Sequence, residues 1–101
     1  MGAWAIKLLP SIAGLPDRLV ILPHGFIIFC ELKTNTGQLR PIQEAVHKKL
    51  RELGCDVRVI RANNIDKFLE DCEKIIQIGR VEDILLQHPK AKVTEEEEEL
   101  P

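Results

Sequence analysis

The stretch Gly25–Gln43, "GFIIFCELKTNTGQLRPIQ", decides the fold. Phe26 through Cys30, with Leu32 just beyond, make an apolar run of strand length, and its composition predicts a strand buried on both faces. That run nevertheless ends in Glu31 and Lys33. Residues two apart in a strand share a face, so Glu31 and Lys33 emerge together on the side of Ile27 and Phe29, with Leu32 on the other. Opposite charges at the end of a central strand open that end onto a surface cleft. Beyond them "TNTGQ" is a turn by composition, and Pro41 suits the first position of a helix.

Working outward, Ala3–Leu9 and Arg18–Leu22 read as two further strands, and Pro23-His24-Gly25 joins the second to Phe26–Lys33 as an antiparallel hairpin. From Pro41, the residues Ile42, Val46, Leu50 and Leu53 recur at helical spacing, while Gln43, Glu44, His47, Lys48 and Arg51 fall on the other sides; Gly54 supplies the stop. Cys55, Val57 and Val59 alternate with Asp56 and Arg58 in a fourth strand. Asn63 and Asp66 make a capping pair for a second helix, whose stripe is Ile65, Phe68, Leu69, Cys72, Ile75 and Ile76 and which Gly79 closes. The expected organisation is an α/β domain over residues 1–79, an extension with a short helical piece over 80–93, and an acidic tail over 94–101.

One hundred and one residues, 45% hydrophobic and 30% charged, make one ordinary globular domain. No apolar run nears the roughly 18 residues of a membrane span, and "MGAWAIKLLPS" has neither a basic leader nor a long apolar core. A soluble intracellular chain with no membrane partner is expected. Cys30, Cys55 and Cys72 are odd in number and sit in apolar patterns, which suits reduced thiols; His24, His47 and His88 lack zinc-site spacing. Residues 1–61 carry nine Lys/Arg against five Asp/Glu, and residues 62–101 five against eleven. A polyanion partner would therefore meet the first part of the chain.

Gly14-Leu15-Pro16 turns the chain ahead of Asp17, and a hairpin returning from Leu22 brings Asp17 toward Glu31. Two carboxylates converging at a strand end suit Mg²⁺ or Mn²⁺, which take oxygen ligands. A lysine beside them suits activation of a water or neutralisation of phosphate charge, so phosphodiester hydrolysis is the chemistry indicated. Glu31 and Lys33 alone fit equally a solvated strand-end pair worth well under ~1 kcal/mol.

The ordered series settles on more. A G-x-PD turn, an apolar strand, E-x-K closing the next strand, G-x-L-x-P-x-Q opening a helix and G-x-x-V starting a strand together resemble the virus-type replication-repair nuclease (VRR-NUC) domain of the PD-(D/E)xK superfamily, over about residues 3–76. The resemblance implies a restriction-endonuclease-like core, with a mixed central β-sheet flanked by α-helices. It implies Asp17, Glu31 and the Leu32 backbone carbonyl as ligands of Mg²⁺ or Mn²⁺, Lys33 as the catalytic lysine, and Gln43 as an organiser of the site. The family's helix ahead of the first strand, with its glutamate, has no counterpart between Met1 and "AWAIK". Also implied are a homodimer, branched DNA such as Holliday junctions as substrate, and the cytoplasm of a bacterial or phage-infected cell. A fold-sharing nucleic-acid-binding module without turnover is the alternative, and a small interaction domain working through its acidic tail is a third. For DNA phosphates, Lys7, Arg40, Lys48, Lys49 and Arg51 are the candidate contacts, with Arg58 and Arg61 as further basic positions; an ordinary charged surface explains them as well.

Overall fold

The structure, a computed structural model, describes residues 2–9 and 11–86, the side chains of 82–86 excepted. Four strands, β1 (Trp4–Lys7), β2 (Arg18–Leu22), β3 (Phe26–Leu32) and β4 (Asp56–Ile60), lie in chain order in one sheet, with α1 (Pro41–Glu52) between β3 and β4 and α2 (Ile65–Leu86) last. The first three strands are antiparallel neighbours, whereas β4 runs parallel to β3, as the α1 crossover between them requires. The sheet is therefore mixed, and both helices pack on it: a restriction-endonuclease-like α/β core.

The hairpin turn between β2 and β3 is a single turn of tight helix, Pro23–Gly25, with His24 at φ 71 and Gly25 at φ 83. The register pairs Leu22 with Phe26 and Arg18 with Cys30, and it stacks Cys30 beside Arg58 and Leu32 beside Ile60. One sheet face thus carries Val20, Leu22, Ile28, Cys30 and Ile60, and α2 covers it with Cys72 and Ile76 to make the buried core. Burying each large aliphatic side chain there stabilises the fold by about 1.5–3 kcal/mol. The opposite face is only partly covered: Ile27 on β3 is 50% exposed and Trp4 on β1 66%. The apolar run of β3 is accordingly buried on one face, not two, because α1 reaches only part of the second face.

Two glycine assignments diverge. Gly54 ends α1 as expected, at φ 91, with its N–H and that of Cys55 donating to Arg51 and Leu50 carbonyls. Gly79, however, stops nothing: α2 continues to Leu86, and Gly79 is buried where a Cβ would come within 2.5 Å of the Phe26 ring. It allows close approach of helix and hairpin. At the other end of α2, a tight turn at Ala62–Asn64 precedes the helix, and its last residue, Asn64, closes that turn by accepting from the Arg61 N–H at 2.8 Å. Asn63 donates its backbone N–H to Asn35 Oδ1. All three cysteines are free, Cys30 and Cys72 buried; burial pushes the Cys30 thiol up to about 12. The acidic tail and residues 87–93 of the extension lie outside the described residues.

Candidate active site

The charged end of β3 lies between the turn that starts β2 and the start of α1. Gly14, buried at φ 84, makes this possible: a Cβ there would sit 2.5 Å from the Ile42 carbonyl oxygen and 2.9 Å from Val46. The turn therefore rests directly on α1, Pro16 is fully buried beneath it, and Asp17 emerges at the mouth of β2. Its carboxylate Oδ1 accepts a hydrogen bond from the Leu32 N–H at 3.2 Å, across fifteen residues of chain. An extended residue directs its N–H and C=O to the same strand edge, so the Leu32 carbonyl faces Asp17 as well.

Glu31 points to the other side of that contact and is buried, 5% exposed, against α1. Burial pushes its carboxyl above the usual carboxylate range; the Asp17 charge adds to this, while Lys33, Arg40 and Arg18 pull it back. Lys33, half-buried, follows on the same strand face, its N–H bonded to the Ile60 carbonyl of β4. Arg18 stands 3.7 Å from the second Asp17 oxygen and donates to the Asp17 carbonyl at 3.1 Å.

The inner face of α1 differs from the sequence reading by one residue of rotation. Gln43, Val46, His47 and Leu50 face inward, with Gln43 and His47 buried, while Ile42 is 45% and Leu53 73% exposed. Two polar side chains take the buried stripe because they face the carboxylate end of β3, and two apolar ones are left outside. Gln43 Oε1 accepts the Arg40 N–H at 2.8 Å, closing the helix start. His47 has no exposure, and its Nε2 lies 3.7 Å from Glu31 Oε1. Burial lowers the His47 pKa, as do Arg51 and Lys33, so the imidazole is neutral at physiological pH. An unpartnered buried polar group of this kind costs about 1–3 kcal/mol.

A protein named Putative nuclease p44, of Acyrthosiphon pisum secondary endosymbiont phage 1, is 39% identical over 70 residues, which span 68% of this chain and 75% of that protein. No family model matches the sequence. A solved structure described as a VRR_NUC domain is similar with a TM-score of 0.63 and 36% identity, covering 68% of this chain and 77% of its own. The chain belongs to the VRR-NUC family.

In this VRR-NUC chain, no three His, Cys, Asp or Glu side chains are grouped to hold a metal among the described residues. The available donors are oxygens: Asp17, Glu31, whose Oε1 is buried without a hydrogen bond, and the Leu32 carbonyl. That set fits a divalent ion of the Mg²⁺ kind, which one or two carboxylates hold while waters and phosphate oxygens complete its shell. An apolar groove of about 560 Å³, lined by Leu19, Ile27, Phe29, Cys55, Ile75 and Ile78, lies at the opposite end of β3.

The basic residues divide. Lys7 ends β1 opposite Arg18, beside the Asp17 turn, and Arg40 acts electrostatically on Glu31 from the loop before α1. Lys48 and Lys49 are exposed on α1. Arg51 donates to the Val57 carbonyl at 2.9 Å and so ties α1 to β4. Arg58 is committed inside the domain, between Asp56 at 2.6 Å and Asp71 of α2 at 2.8 Å. Arg61 donates to the Thr34 and Gly37 carbonyls, at 2.7 and 2.5 Å, and pins the loop that follows Lys33. Sequence reading missed Arg18 and His47 as neighbours of the carboxylates. For His47 a signal exists: four residues after Gln43, it must share the helix face that carries Gln43 to the site.

Proposed function

We propose that this protein is a metal-dependent DNA endonuclease in which Asp17, Glu31 and the Leu32 carbonyl hold one Mg²⁺ or Mn²⁺. The observation that carries the reading is the Asp17–Leu32 hydrogen bond, which brings a second carboxylate to the strand end bearing Glu31 and Lys33. The bound ion supplies a polarised water and stabilisation of charge on the phosphate. Water oxygen attacks phosphorus and gives up a proton to solvent, while the bond to the leaving sugar oxygen breaks and that oxygen takes up a proton from solvent. Lys33 orients the incoming water and neutralises charge growing on the phosphate oxygens, a role its place on the Glu31 face allows. Gln43, with its carbonyl oxygen engaged by Arg40, keeps its amide nitrogen for the site and fixes where α1 begins. Lys7, Arg40, Lys48 and Lys49 contact phosphates, with Arg51 contributing charge from its tethered position.

The substrate is branched DNA, four-way junctions included, and the working form is a two-fold dimer. Support for the dimer is the half-covered sheet face with Trp4 and Ile27 exposed, together with the apolar groove, because a monomer gains by covering such surface. No helix among the described residues is long and apolar enough to cross a membrane. The phage origin of the nuclease relative supports action in the cytoplasm of an infected bacterium. A cleavage assay on duplex, flap and four-way DNA, with Mg²⁺, Mn²⁺ or EDTA, tests the reading. Cutting should require the metal and vanish in Glu31→Ala and Asp17→Ala; activity retained in EDTA or in either variant defeats it.

A further inference from the structure

Among the described residues, the buried side-chain polar atoms without a hydrogen bond are Glu31 Oε1 and the two ring nitrogens of His47. They belong to one place. His47 Nε2 and Glu31 Oε1 face each other at 3.7 Å, too far for a hydrogen bond and too close for any other atom to enter between them. None of the three atoms is exposed to bulk solvent. An apolar side chain on the inner face of α1 would fill the same space and remove two of the three unpaired atoms, leaving only Glu31 Oε1, so stability gives no account of an imidazole here.

We propose that His47 is a positioning residue for the Glu31 carboxylate: its Nε2–H donates to Oε1 and turns Oε2 toward Asp17 and the strand-end cleft. The inference rests on the reading of Asp17 and Glu31 as metal-holding carboxylates. A shift of under about 1 Å closes the contact to hydrogen-bond length. The geometry favours imidazole over longer donors: its ring is rigid, and its place on α1 is fixed by the Gly14 contact with Ile42 and Val46, so the donor sits at a set distance from β3.

The test uses the full chain with His47→Leu, which fills the space without a donor, and His47→Gln, whose amide nitrogen keeps a donor at similar reach. Melting is measured in EDTA, Mn²⁺ binding by titration calorimetry, and kcat and KM on four-way DNA. His47→Leu should melt at or above the wild-type temperature yet bind Mn²⁺ about ten- to a hundredfold more weakly, a size typical of groups that orient a metal ligand. Its kcat should fall while KM for DNA holds, and His47→Gln should recover most of the Mn²⁺ affinity. Wild-type Mn²⁺ affinity in folded His47→Leu overturns the proposal, as does a folded His47→Gln that binds as weakly as the leucine variant. If His47→Leu does not fold, His47→Phe takes its place; failure of both makes the role structural and the proposal falls. A wild-type protein that binds no Mn²⁺ brings down the metal reading itself, and the inference with it.

Discussion

Glu31 and Lys33 sit two residues apart yet meet different surroundings, and that difference separates their contributions. Lys33 is half-buried at the edge of the cleft, so Lys33→Ala should cut DNA roughly a hundred- to ten-thousandfold more slowly while Mn²⁺ and DNA affinities stay near wild type, since one phosphate contact among many adds little to binding. Single-turnover cleavage beside a binding titration checks it; a normal cutting rate makes Lys33 a strand-end salt-bridge partner. Glu31 is a buried acid whose folded pKa lies above its ordinary value of 4.5, so the folded state binds its proton more tightly than the unfolded chain. Its contribution to stability is full below about pH 4.5 and is lost as pH rises through the folded value. In EDTA, Glu31→Gln should therefore melt higher than wild type at pH 8, with the gain shrinking toward pH 4; an equal difference at both pH values refutes the burial effect. These two residues were legible because strand alternation alone places them, and Asp17 because Gly14 and Pro16 announce its turn. His47 was not, since its burial depends on a helix rotation that the apolar residues Ile42 and Leu53, exposed in the fold, misreport.

The four strands and the two principal helices could be read from the sequence in type and order, because each has a clear period, whereas the tight helical turns at Pro23–Gly25 and Ala62–Asn64 were missed and the separate helical piece expected after Gly79 is a continuation of α2. What could not be read is which face meets which, since that depends on contacts between segments. α1 shows this best: the Gly14 seat fixes its rotation, and nothing local in "GLPD" says that a helix backbone will lie against it. Gly14→Ala should cost roughly 2–4 kcal/mol, combining left-handed backbone strain with overpacking against Ile42 and Val46. Urea denaturation measures it, and a loss below about 1 kcal/mol would mean that the turn can move away from α1. Arg58 belongs to the same lesson, reading as surface charge and serving as the bridge from β4 to α2. Arg58→Ala should lower the melting temperature by leaving Asp56 and Asp71 facing one another, and Asp71→Asn added to it should restore part of the loss. No effect of Arg58→Ala on melting would show the bridge to be idle.

At the scale of the molecule, light scattering at micromolar concentration should give twice the monomer mass of 11.5 kDa. A charge placed at Ile27, as in Ile27→Glu, should return the monomer without lowering stability, because that residue is half exposed on the partly covered sheet face. A wild-type monomer would end the dimer proposal and weaken the case for paired incisions on junction DNA. The mixed sheet has a further consequence, in the order in which the chain assembles. β1, β2 and β3 pair with neighbours in sequence, β2 and β3 across the tight turn Pro23–Gly25, so that meander closes by local steps. β4 joins only after α1 has formed and crossed over, a contact between distant segments that comes late. The Lys33 amide is held by Ile60 at the far end of β4, and the loop behind it by Arg61 just beyond. During refolding, protection of the Lys33 amide from hydrogen exchange should therefore lag behind that of Val20 and Ile28. A half-built chain of this kind carries its carboxylates on a finished hairpin but cannot yet place its lysine, so cutting competence arrives with the last strand to dock.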